Sequence, residues 1–145
     1  MAVITRDVLI AASPETTMER LSDAQLWPDW YPGMTSIEIT APFPDVGGKV
    51  AFTVKSAGLT MTIRETVVGY QPGKLQHLEM EGSLRGLARW ELTPEGAGTR
   101  LTTTFDYTLP GGPIGRVADA LIAKRQNANA LQQGLQNFKA LVETR

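Results

Sequence analysis

IGRVADALIAKRQNANALQQGLQNFKALVE, residues 114–143, decides the fold. Val117, Leu121, Ala128, Leu131, Leu135, Phe138 and Val142 recur at three- and four-residue steps, the spacing of one apolar helix stripe. Arg116, Asp119, Lys124, Asn127, Gln133 and Lys139 fall on the opposite face. The spacing predicts one amphipathic helix on the order of 45 Å long, at 1.5 Å per residue. Pro110-Gly111-Gly112-Pro113 separates it from what precedes. Its apolar stripe requires a second layer to cover it.

That layer is legible upstream. Runs at 36–40, 49–56, 59–70, 74–84, 86–93 and 99–109 alternate apolar and polar residues, with turn chemistry between them. Gly47-Gly48, Gly58, Gln71-Pro72-Gly73 and Pro94-Glu95-Gly96-Ala97-Gly98 mark the turns. Val3 to Ile10 adds a strand at the start and brings the total to seven. Turns this short join antiparallel neighbours, because parallel pairs need long crossovers. The alternation puts Val50, Phe52, Val54, Leu59, Met61, Ile63, Leu78, Met80, Leu84, Ala88, Trp90, Leu92, Leu101, Phe105, Tyr107 and Leu109 on one face. His77, Glu79, Glu81, Arg89, Glu91, Arg100 and Asp106 take the other.

Seven strands spaced about 4.8 Å apart span roughly 30 Å, whereas a helix is about 10 Å wide. One helix covers such a sheet only if the sheet curls round it. The fold class is therefore α+β: a curved seven-stranded antiparallel sheet gripping a long C-terminal helix. Two readings of the concave face are open. Its Met, Phe, Trp, Tyr and Leu side chains either fill the gap or line a small-molecule pocket.

Between the first two strands, Ser13-Pro14-Glu15 announces a helix: Ser13 as cap, Pro14 in the first turn, Glu15 at the positive end. Met18 and Leu21 lie on its one face. Residues 26–34, LWPDWYPGM, allow only a short helical turn because of their prolines and glycine. Trp27, Trp30 and Tyr31 crowd into it, as a plug at one end of the sheet or as a pocket rim.

Composition narrows the function. At 145 residues the chain suits one domain over 1–145, with 42% hydrophobic and 20% charged residues. A formal net charge of −1 gives no field for nucleic acid or an anionic membrane. With no cysteine and one histidine, thiolate sites, disulfides and His-rich metal sites are excluded. No metal and no cofactor is expected. Met1 to Ile10 includes Arg6 and Asp7 and does not read as a signal peptide, and no run is long enough for a membrane span, so the expected compartment is the cytoplasm. No Gly-rich phosphate cradle or RNA-reading motif is present. Monomer and homodimer both remain open.

VLIAASPETTMERLSD (8–23), WPDWYPGM (27–34), YQPGKL (70–75), RWELTPEGAGTRLTTTFDY (89–107) and LQNFKALVE (135–143) occur in an order that resembles the START-like, or SRPBCC, superfamily. Within it, the chain resembles the polyketide cyclase/dehydrase and lipid-transport family. The resemblance implies the helix-grip (birch-pollen-allergen-like) fold and a deep pocket between sheet and C-terminal helix. It implies a hydrophobic small-molecule partner, such as a lipid or polyketide, with cyclisation or dehydration in a few members. Because the motifs hold the fold together, they do not by themselves assign a reaction.

The candidate ligand-binding residues are Trp27, Trp30, Tyr31, Phe52, Met61, Met80, Trp90, Phe105, Tyr107, Leu121 and Arg125. Tyr107 projects inward beside Trp90, and a buried hydroxyl needs a partner that a ligand oxygen can supply. In aromatase-type relatives a deep polar group orients the polyketide, a role Tyr107 would take here. Arg125 borders the helix stripe, where it either lays its stem along the core or holds a ligand carboxylate or enolate. Glu65 shares a pleat with Met61 and Ile63; it is a surface residue at a strand end or, if buried, a general base. Tyr107, Arg125 and Glu65 are thus the catalytic candidates. His77 reads as a solvated surface histidine. Three functions follow: a carrier or sensor of a hydrophobic molecule, a cyclase/dehydratase-type enzyme, or a protein-partner module using an apolar outer face.

Overall fold

The computed structural model describes residues 2–56, 59–109 and 117–144. In chain order the elements are β1 (Ala2–Ile10), α1 (Pro14–Leu21), a 3₁₀ turn (Ala24–Leu26), α2 (Trp27–Trp30), β2 (Met34–Thr40), β3 (Lys49–Ser56), β4 (Leu59–Gln71), β5 (Leu75–Gly82), β6 (Arg85–Glu95), β7 (Gly98–Thr108) and α3 (Val117–Glu143). The expected turns at Gly58 and Pro110–Pro113, the helix start at 114–116, and the side chains of Leu59, Val117 and Asp119 lie outside what is described.

All seven strands form one curved antiparallel sheet in the order β1-β7-β6-β5-β4-β3-β2. Hairpins join β2 through β7 in sequence, but β1 and β2 lie at opposite edges. The chain between them has to cross the width of the sheet, and α1 and α2 make that crossing. Ser13 caps α1, its Oγ accepting from the Thr16 backbone N–H at 3.1 Å.

The two faces sort as the alternation predicts. Val50, Phe52, Val54, Met61, Ile63, Leu78, Met80, Ala88, Trp90, Leu92, Leu101, Phe105 and Tyr107 are all buried. They pack against Leu131, Leu135, Phe138 and Val142 of α3 and against Met18, Leu21, Trp27 and Trp30. His77 faces outward, its Nε2 lying 3.2 Å from Glu91 Oε2.

The strand ends differ in one instructive place. Residues 94–98 read as a loop, yet β6 and β7 pair up to Glu95 and Gly98, leaving a two-residue turn with Gly96 at φ +59°. Pro94 is tolerated inside the strand because β5 pairs with β6 only over Gly86–Glu91. Beyond that reach, the missing N–H of Pro94 removes no ladder bond.

The α3 stripe requires a correction at its N-terminal end. Leu121 is 64% exposed and Arg125 is also exposed, whereas Ala123 and Asn127 are buried. The buried face shifts round the helix here to Ala123 and Asn127, and the Asn127 amide reaches the Tyr107 hydroxyl of β7. Asn127, expected on the polar face, therefore points inward.

Candidate functional site

A cavity lies between the sheet, α2 and α3. Trp27, Trp30 and Tyr31 close one side, with Met34 from the start of β2. Phe52 and Val54 come from β3, Met61, Ile63 and Glu65 from β4, and Met80 from β5. Leu84, Trp90, Phe105 and Asn127 complete the wall. The space open to the centre of a water molecule is about 50 Å³. About 10–15 Å³ on that measure holds one water, so the inward rings do not fill the gap.

The aromatic turn is held from several sides. Trp27 Nε1–H donates to the Leu21 carbonyl at 2.8 Å. Its ring meets Phe43 and Phe52 edge-on, with centroids at 5.8 and 6.1 Å. Trp30 packs on Phe138 of α3 at 4.9 Å and on Trp90 at 5.9 Å, and Trp90 in turn meets Phe105 at 5.9 Å. Asn137 of α3 donates to the Trp30 carbonyl at 3.0 Å. Gly33 completes the turn at φ +76°; a Cβ there would sit 2.0 Å from the Lys55 carbonyl oxygen, so this close approach to β3 requires glycine. These contacts fix Trp27 and Trp30 in the cavity wall.

Polar groups in the wall are few. Glu65 is only 6% exposed. In the sheet register it lies between Val50 of β3 and Met80 of β5, both apolar. Burial raises its pKa from 4.5 to about 8, so the carboxyl holds its proton at neutral pH. Tyr31 is pushed up by burial, and further by Glu65 and then Tyr107. Tyr107, 2% exposed, accepts a hydrogen bond from Asn127 Nδ2 at 2.9 Å. Burial raises its pKa, partly offset by that bond. Trp30 Nε1 is buried with no partner among the described residues.

Of the residues expected at a ligand site, Trp27, Trp30, Tyr31, Phe52, Met61, Met80, Trp90 and Phe105 line the cavity, and Glu65 joins them. Tyr107 stands behind Asn127, which takes up its hydroxyl. Leu121 and Arg125 do not line the cavity, so Arg125 has no place beside Glu65 or Tyr107 there. Asn127 and Met34 were missed. Asn127 sits one position before Ala128 and four before Leu131, at the margin of the stripe, and that position was the available signal. Among the described residues, no group of His, Asp or Glu side chains is arranged to hold a metal.

The model of the family described as "Polyketide cyclase / dehydrase and lipid transport" matches residues 1–143. No curated protein matches the chain in sequence. Among solved structures, TTHA0849 from Thermus thermophilus is similar at TM-score 0.83 and 18% identity, over 99% of this chain and 98% of that one. The Zhui aromatase/cyclase from Streptomyces sp. R1128 is similar at TM-score 0.81 and 18% identity, covering 99% and 94%. Ara h 8.0201 is similar at TM-score 0.71 and 13% identity, with 99% of each chain covered. At these identities the structural likeness speaks to the helix-grip fold. With the family model spanning nearly the whole sequence, the chain belongs to the polyketide cyclase/dehydrase and lipid-transport family.

Proposed function

We propose that this protein binds a small hydrophobic molecule in the cavity between its sheet and α3. The observation that carries the reading is a hollow of about 50 Å³ walled by aromatic and aliphatic side chains, with one acid and one amide among them. Burying a ligand's apolar surface supplies about 25 cal/mol per Å², and Glu65, Tyr31 and Asn127 set its orientation. All three tryptophans of the chain, Trp27, Trp30 and Trp90, line the cavity. Ligand entry should therefore shift the intrinsic fluorescence. Native mass spectrometry of protein purified from its own host tests the reading directly. A co-purifying small molecule whose removal changes the tryptophan emission supports it. Protein that is free of any guest and whose emission ignores a panel of apolar probes refutes it.

A second reading, a cyclase/dehydratase-type enzyme, draws on Glu65 alone. A carboxyl titrating at about 8 is matched to proton transfer near neutral pH. In that reading Glu65→Gln abolishes turnover while leaving ligand affinity within a few-fold. The partner-module reading draws no support from the outer face. The exposed large apolar side chains on described strands, Val3, Leu9, Ile39 and Val68, are divided between β1, β2 and β4 and form no common patch.

A further inference from the structure

We infer that the guest is a small hydrophobic amine, its ammonium paired with Glu65 and its body against the aromatic wall. The inference rests on the binding reading above and adds the charge of the ligand.

Three observations support it. Glu65 is buried on the cavity wall with no hydrogen bond or ion pair to any described residue. Among the described lining residues it is the one carboxyl, and none is Lys, Arg or His. Six of the lining side chains, Trp27, Trp30, Tyr31, Phe52, Trp90 and Phe105, are aromatic. Aromatic rings attract cations through their negative faces, most strongly where water is excluded. A carboxyl among such rings favours positive charge, and no cationic side chain among the described lining residues compensates an anion. A ligand carboxylate would lose its hydration and face a second acid.

Proton counting makes the idea quantitative. The titratable groups facing this space are Glu65 from β4 and Tyr31 from the turn after α2, with Tyr107 of β7 behind Asn127; the register neighbours of Glu65 on β3 and β5 are Val50 and Met80, which do not titrate. In the empty cavity Glu65 is protonated below about pH 8, and a free alkylamine is protonated too. The complex keeps one proton between carboxyl and amine and releases the other. Amine affinity therefore rises with pH, by about tenfold per unit well below the Glu65 pKa, and levels off above it. A neutral guest accepting a hydrogen bond from the carboxyl shows the reverse: constant affinity, then a fall as Glu65 ionises.

The test uses benzylamine, benzyl alcohol and benzoate, which share one ring and differ in charge. Their binding to the full chain is followed by tryptophan fluorescence and calorimetry between pH 6 and 9. The expected result is benzylamine bound most tightly at pH 8, with affinity rising about 50- to 100-fold from pH 6 to 8 and one proton released per ligand at pH 6. Glu65→Gln should remove the proton release and flatten the pH profile while still binding benzyl alcohol. Benzyl alcohol binding as well as benzylamine at pH 8, or benzylamine affinity independent of pH, would overturn the amine assignment and leave the cavity as a general apolar site. Failure of all three probes to bind would remove the binding reading and this inference together.

Discussion

Glu65 couples the cavity to the stability of the fold. The unfolded chain titrates this group near 4.5 and the folded chain near 8. Between those values the native state holds more protons than the unfolded state, so stability falls as pH rises through this window. Each unit of difference corresponds to about 1.4 kcal/mol, and the total is on the order of a few kcal/mol. Glu65→Gln, which keeps the shape without the titration, should gain on the parent steadily from pH 5 to 8 in urea midpoints. Parallel profiles for the two proteins would contradict the buried position. Tyr107 and Asn127 make a second case. Removing the hydroxyl with Tyr107→Phe strands the buried Asn127 amide and should cost about 1–3 kcal/mol. A double-mutant cycle with Asn127→Ala should show coupling of at least about 0.5 kcal/mol. Alternation with Met61 and Ile63 put Glu65 on the inner face. Hydropathy argued the other way, because burying an unpaired acid is costly. What decides the matter is the pairing of β4 with both neighbours at that point, which is a property of the register.

At the scale of elements, α3 was readable as a helix from its period, and the residues from Ala128 onward fall on the face the period predicts. The period does not say which turns of the helix are covered: Leu121, expected on the inner stripe, lies outward, and Arg125, expected at its border, is exposed. The difference is measurable. Leu131 is fully buried while Leu121 is 64% exposed. Leu131→Ala should therefore cost about 2–5 kcal/mol. Leu121→Ala should stay within about 0.5 kcal/mol of the parent. Comparable losses at the two positions, read from denaturant midpoints with unchanged slopes, would restore the longer stripe. The start of α1 was legible to the residue, since Ser-Pro-Glu combines cap, fixed φ and favourable charge. Ser13→Ala removes the bond to the Thr16 amide and should cost about 1 kcal/mol.

The curvature of the whole molecule followed from comparing widths, about 30 Å of sheet against about 10 Å of helix, and needed no coordinates. Whether the resulting hollow stays open did not follow, because that depends on how the rings of Trp27, Trp30, Trp90, Phe52 and Phe105 meet. Edge-on contacts near 6 Å, rather than interlocked stacking, let these rings brace one another around a space. An open space and a filled one respond differently to added volume. Val54 is buried and lines the cavity, so Val54→Phe directs a larger side chain into it. In a core already filled, such an insertion costs about 1–3 kcal/mol through displaced rotamers. Into a cavity of about 50 Å³ the new ring finds room, and stability should change by less than about 1 kcal/mol. The same substitution should abolish the fluorescence response to benzyl alcohol, because the guest and the new ring compete for one volume. A destabilised Val54→Phe protein that still binds the alcohol would mean that the space receiving ligands is not the one enclosed by these rings.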